Sequence, residues 1–342
     1  MKSSENNIKQ TESNQERIKQ FKDHFAKIQN EIEKNIVGQK SVIKRVLYAI
    51  FIGGNVLLEG LPGLGKTTLA KTIAKSLGLK AKRIQFTPDL MPADITGTNI
   101  IEQTPDGKIS VKFNEGPIFT SICLADEINR ATPKTQAAML EAMQERHVTI
   151  AGETKALPET FCVIATQNPI ELEGTYPLPE AQMDRFLFKI KVEDTSLADL
   201  IAISDITTVG HKPAIETIIN EAQILSYRVN ILAILIPEYL KEYAARIIRA
   251  TQPNNKEATP MVKQYIKYGS SPRGMQAIIL AAKVSAATKG EISISDEDIK
   301  DVVYSALRHR LILNFEGEAK QINPDDIIKE ILKTVLVIPE GK

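Results

Sequence analysis

Three short stretches carry residue types that handle phosphate. The first is "GLPGLGKT", residues 60–67. It fits G-x-x-x-x-G-K-[ST], a pattern that roughly one chain of this length in a hundred would match by chance. Its setting narrows the reading, because the apolar run "NVLLE" precedes it as a strand and "KTTLAKTIAKSLG" follows as a helix. Gly60, Gly63 and Gly65 are expected to take positive φ and to bring backbone N–H groups close to an anion. The start of the helix adds partial positive charge. Lys66 can reach the outer phosphates of a nucleotide such as ATP, and the Thr67 hydroxyl can ligand Mg²⁺. Pro62 and Leu64 between the glycines, and Thr68 after them, complete the expected binding loop.

A cradle binds phosphate but does not cleave it. The second stretch, "SICLADEINR", ends an apolar run on Asp126 and Glu127. Two adjacent carboxylates at the end of a buried strand are costly without a cation nearby. Mg²⁺ would offset that cost at Asp126, and Glu127, pointing elsewhere, could act as general base on water. Standing alone, "DE" would more often cap a helix; following a phosphate loop, it reads as catalytic. The third stretch, "FCVIATQNP", brings a polar amide to the end of another apolar strand. Asn168, or else Gln167, could orient the attacking water there, at the edge where open α/β sheets bind ligands.

These stretches need a sheet to hold them. From residue 55 onward, apolar strand patterns alternate with helical ones, including "AKRIQFT", "TPKTQAAMLEAMQER" and "RFLFKIKVE". Strands with little polar alternation, separated by helices, predict a parallel sheet covered on both faces. After about residue 193, apolar spacings of three and four dominate and predict a helical second domain. "TNIIEQTPDGKISVKF" and "HVTIAGETKALPE" read as hairpin insertions, with turns at "PDGK" and near "GET". Residues 1 to about 15 read as disordered, followed by a polar amphipathic helix and a second helix from 39 to about 51.

The totals exclude several classes. A chain of 342 residues is too long for one small core, so two domains are expected. With 43 basic against 42 acidic residues there is no global attraction to nucleic acid or anionic membrane. Cys123 and Cys162 lie in apolar runs and read as small buried hydrophobes in a reducing compartment. His24, His147, His211 and His309 are scattered without ligand spacing, which gives no zinc site. No apolar run reaches the ~18 residues of a membrane span. The polar start lacks the pattern of a signal peptide, so a cytoplasmic location is expected.

The quoted residues, together with "IVGQ", "ADEINRATPKTQAAMLEAMQERHVTIAG", "ATQNPIELEGTYPLPEAQMDRF" and "SPRG", resemble the AAA+ ATPases, and within them the MoxR group. The likeness spans roughly residues 30–340 and leaves out the polar leader. It implies an AAA+ core with a five-stranded parallel sheet covered by helices, over residues 21–194. The hairpin inserts would fall at about 97–113 and 147–158, and an all-helical lid over 195–342. By the same resemblance Val37, Gly38 and Gln39 lie against adenine, and Asn168 is the first sensor. Arg185 is an arginine finger acting on a neighbour's nucleotide, and Arg273 is the second sensor on the lid. An arginine placed at a transferring phosphoryl group is worth ~10³–10⁵ in rate. Arg273 opens a helix, where the dipole disfavours a cation unless an anion offsets it. Arg130 stands near the site with either an interface or a capping role.

The implied protein is a Mg²⁺-dependent ATPase that forms a homo-oligomeric ring, a hexamer, and remodels or matures protein clients, including von Willebrand A-domain proteins. Three other readings share the phosphate loop. A nucleic-acid motor is disfavoured by the near-zero charge and by insert loops that are not basic. A small-molecule kinase would leave the segment up to "SPRG" unexplained. A scaffold that binds ATP and barely turns it over is opposed by Glu127.

Overall fold

The computed structural model describes residues 2–60, 65–103, 109–169, 174–208 and 213–337, with side chains from Asn14 onward. Pro62, Gly63, Leu64, the "PDGK" turn and His211 lie outside the described residues.

Helices α1 (Lys2–Glu33) and α2 (Lys40–Ile52) lead into strand β1 (Val56–Glu59), helix α3 (Lys66–Ser76), strand β2 (Ala81–Gln85) and the short α4 (Pro92–Thr96). The first insertion is the hairpin β3 (Gly97–Gln103) and β4 (Ile109–Glu115). Strand β5 (Ile122–Asp126), a 3₁₀ turn (Ile128–Arg130) and α5 (Pro133–Glu145) follow. The second hairpin, β6 (His147–Ile150) and β7 (Glu153–Ala156), precedes β8 (Cys162–Gln167), α6 (Glu180–Met183) and β9 (Phe188–Lys191). The C-terminal part holds α7 (Leu197–Thr208), α8 (Glu221–Leu232), α9 (Glu238–Ala250), α10 (Pro260–Tyr265), β10 (Ile266–Tyr268) and α11 (Pro272–Lys289). It closes with α12 (Asp296–Leu307), β11 (Ile312–Leu313), α13 (Phe315–Ala319) and α14 (Pro324–Thr334).

The main sheet has five parallel strands in the order β2-β5-β8-β1-β9. Its central strands are apolar up to their C-terminal ends because helices cover both faces. Val56 and Leu58 face one apolar cluster and Leu57 the other, as the two-residue period of a strand requires. Cys162 belongs to the first cluster and Cys123 to the second, so the two thiols sit on opposite faces of the sheet. Both are fully buried, and burial pushes each thiol up to about 12, which leaves them inert.

Two expectations need correction. Residues 2 to 15 are part of α1 rather than a disordered leader. The C-terminal part is not all-helical, since β10 and β11 pair antiparallel within it. The second hairpin turns near "GET" as expected, on Ala151 and Gly152, both at positive φ. The sheet's two faces, and not the two domains, define the apolar clusters. One cluster runs from Ile18, Phe21 and Phe25 of α1 through α2, α3 and the sheet into α8, α9, α11, α12 and α14. The spacing of Ile18, Phe21, Phe25, Ile28 and Ile32 gives α1 one buried stripe, which packs on both parts of the chain. Among the described residues no helix is long and apolar enough to cross a membrane.

Ionic contacts reinforce this junction. Arg45 of α2 donates to Asp301 of α12 at 2.7 and 2.8 Å. Burial alone would raise the Asp301 carboxyl, but Arg45, with Lys44 beside it, overrides that and brings it down to about 2. The carboxyl is thus more acidic folded than unfolded, so the pair contributes fully above about pH 4. It loses that contribution as the pH falls toward 2. Asp301→Asn should cost about 1 kcal/mol at neutral pH once solvent screening of the pair's open side is allowed for. Urea midpoints of the two proteins should converge below pH 4; a gap that stays constant would remove the ionic account.

Candidate active site

Gly60 ends β1 and Gly65 begins α3, at the C-terminal edge of the sheet. Gly65 takes φ 72°, as expected. Gly60 does not; it is required because a Cβ there would lie 2.8 Å from Val192 Cβ. The Lys66 ammonium donates to the Gly60 carbonyl at 2.5 Å, which ties the start of α3 to the residue after β1. Burial pushes Lys66 down, while Asp126, Glu127 and Glu59 oppose the shift.

The carboxylates are held by side chains that sequence reasoning missed. Thr166, fully buried on β8, donates to Asp126 Oδ1 at 2.6 Å and accepts the Glu127 N–H at 2.8 Å. One hydroxyl in a largely apolar strand thus holds the Asp126 carboxylate and the Glu127 backbone together. Arg83 on β2 donates to Asp126 Oδ2 through Nε at 2.9 Å and Nη2 at 2.6 Å. Gln85, two residues along on the same face, donates to Glu127 Oε2 at 2.8 Å. Arg130 donates to the same oxygen at 2.9 Å, which gives it a role within its own chain. Polar residues alternating at the end of "AKRIQFT" were the available signal, but only the β2–β5 register puts them beside the acids. Glu127 has φ 57° and ψ 50°, a left-handed conformation uncommon outside glycine. It turns the chain out of β5, so the two side chains diverge.

Gly65, Lys66, Thr67, Arg83, Asp126, Glu127, Thr166 and Asn168 line one cavity of about 350 Å³. Asn168 is buried beside the acids. Gln167 is not among the lining residues, so the amide facing the cavity is that of Asn168. Thr67 and Asp126 offer hard oxygen donors in one place, and the outer oxygen of Asp126 is held by a half-exposed, replaceable guanidinium. That donor set fits Mg²⁺.

Arg185 and Arg273 are elsewhere. They line a second cavity of about 280 Å³ with Arg146, Arg310 and Asp184, and none of the described residues belongs to both cavities. Arg185 is half-buried, and its Nη1 donates to the Leu140 carbonyl at 3.3 Å. Its Nε is buried without a partner among the described residues. Arg273, at the start of α11, lies 3.4 Å from Asp184 Oδ2, so a carboxylate of this chain offsets the unfavourable helix dipole. The five residues expected in catalysis therefore separate into Lys66, Glu127 and Asn168 at one place and Arg185 and Arg273 at another.

Val37, Gly38 and Gln39 line a third cavity, of about 220 Å³, with Glu193 and Asp199. Gly38 takes φ 75°, and a Cβ on it would meet the Asp199 carboxyl carbon at 2.6 Å. Lys191 and Glu193 border this cavity and flank Val192, which packs on Gly60, so it adjoins the end of β1.

Family models match two segments: the ATPase family associated with various cellular activities (AAA) over residues 55–188, and the AAA lid domain over residues 258–331. Chaperone MoxR1 of Mycobacterium tuberculosis is 41% identical over 308 residues, covering 89% of this chain and 80% of that protein. Protein MoxR of Methylorubrum extorquens is 30% identical over 335 residues, covering 92% and 95%. The crystal structure of a candidate ATPase from Cytophaga hutchinsonii matches at TM-score 0.90 and 39% identity, over 96% of this chain and 99% of that one.

Proposed function

The chain belongs to the MoxR family of AAA+ ATPases, and from its site we propose that it cleaves ATP in pockets shared between neighbouring copies of a ring. One observation carries the reading: Lys66, Thr67, Glu127 and Asn168 line one cavity, while Arg185 and Arg273 line another, with no residue in common among those described. A single chain so arranged has an acceptor half and a donor half. Closing copies head to tail into a ring, a hexamer in our reading, would join each donor half to the next acceptor half.

In the acceptor half Lys66 and the Gly65 end of α3 bind the phosphates. Glu127 takes a proton from water, and Asn168 orients that water. Thr67 and Asp126 are the residues that would hold Mg²⁺, which supplies charge neutralisation at the phosphate oxygens. Arg185 and Arg273 of the neighbour meet the charge that develops on the transferred group. Val37, Gly38 and Gln39 receive the adenine.

The energy is spent on protein clients, among them von Willebrand A-domain partners, in the cytoplasm. The first hairpin supports a polypeptide over a nucleic acid. Ile101, Ile109 and Val111 share one face and are 68–74% exposed, whereas a phosphate backbone would call for lysines and arginines. Turnover per chain should rise with protein concentration and level off as assembly completes. Concentration-independent turnover by a proven monomer would refute the shared pocket.

A further inference from the structure

Asp184 stands between Arg310 and Arg273 of the donor cavity and is gripped unequally. Arg310 Nε donates to its Oδ1 at 2.8 Å, and the Ser271 hydroxyl reaches both oxygens at 2.9–3.0 Å. Arg273 makes only the longer contact of 3.4 Å. The Arg310 side chain is 3% exposed and that of Arg273 is 49% exposed. Asp184 therefore belongs to Arg310 and Ser271, and Arg273 is left able to exchange it for another anion.

Arg310 does more than pair with one acid. Its Nη2 donates to the carbonyls of Asp184 at 2.9 Å and Phe186 at 2.7 Å. Its Nη1 donates to the carbonyls of Leu187, at 3.3 Å, and Ala306. One buried guanidinium, following α12, thus closes over the backbone on both sides of Arg185. The same carboxylate holds Ser271, the N-cap of the helix that carries Arg273. Attachment of the two parts of the chain does not need this hub. Arg45 with Asp301, Arg228 with the Ile50 and Phe51 carbonyls, and the shared apolar cluster already provide it. What the hub adds is a fixed relation between residues 185 and 273.

We propose that Asp184 and Arg310 are positioning residues that set Arg185 and Arg273 as one prearranged pair of cations for the neighbouring copy's phosphates. The proposal rests on the shared-pocket reading. A guanidinium fork with four backbone acceptors fixes that backbone in place and orientation, which a lysine cannot do. Misplacing a catalytic group by about 1 Å costs roughly a hundredfold in rate.

The test uses Asp184→Asn, which keeps the shape and the Ser271 contact, and Arg310→Lys, which keeps the charge. Each should assemble and bind ATP within about twofold of the parent, with kcat reduced by about tenfold to a hundredfold. Each is then mixed with Glu127→Gln copies, which have an intact arginine pair but no base. If the hub acts through the donated pair, mixing restores turnover, because intact pockets now face intact donors. Arg185→Ala mixed with Glu127→Gln is run beside them. If that control recovers and the hub variants do not, or if the hub variants never lost turnover, the hub is only a staple and the proposal is overturned. A lowered thermal midpoint with unrescued turnover overturns it equally. If the control itself fails to recover, the shared pocket falls, and the proposal with it.

Discussion

Replacing Arg185 with alanine should leave ATP bound at near-normal affinity and slow its hydrolysis by ~10³–10⁵. The separation of cavities underlies both halves of this expectation. Arg185 lines no part of the cavity that holds Lys66 and Thr67, so its loss removes nothing from binding by its own chain. The charge that develops in phosphoryl transfer would lose its closest outside cation, and that loss appears in kcat. Folding should change little. Among the described residues the one side-chain hydrogen bond given up, to the Leu140 carbonyl, is long, and the buried Nε has no partner to lose. A change within about 1 kcal/mol is expected. Arg185→Lys should recover only part of the rate, since it keeps the charge and loses the planar fork. Turnover within threefold of the parent, or loss of ATP binding, would remove the finger assignment.

The sequence made the sheet and the phosphate cavity legible for a definite reason. Buried parallel strands are continuous apolar runs, and the candidate site residues follow them directly: Gly60 after β1, Glu127 after β5, Asn168 after β8. Local pattern therefore carries both fold and site. It does not carry strand order. Arg83 and Gln85 become site residues only because β2 lies in register with β5, a pairing between residues some forty positions apart. The grouping of Arg273 with Arg185 was hidden for a similar reason, since it depends on how α11 and α12 pack against the sheet. The start of α1 was misread because residues 2 to 15 lack the apolar stripe that begins at Ile18. Extending a helix costs far less than starting one, so its stable turns can continue into polar sequence. Strands of two and three residues, as in β10 and β11, are too short to show a period.

Glu127→Gln should hold ATP and hydrolyse it ~10²–10⁴ times more slowly, the range that a positioned base contributes. Glutamine is nearly isosteric, so the left-handed backbone at this position is undisturbed, and the Thr166 contact to its N–H remains. Gln85 and Arg130 can still donate to the amide oxygen, though without the help of a full negative charge. What disappears is the ability to take a proton from water. Lys66, Thr67 and Asp126 are untouched, and one negative charge beside the phosphates is gone, so ATP should bind slightly tighter than in the parent. Single-turnover measurements separate slow cleavage from slow product release. The expected result is that the first turnover itself slows by the full factor. The same variant, loaded with ATP, would hold the proposed ring in one state and would be the material with which to recover any client. A first turnover at the parental rate would mean that another group removes the proton, and Glu127 would then be a structural partner of Arg130 and Gln85.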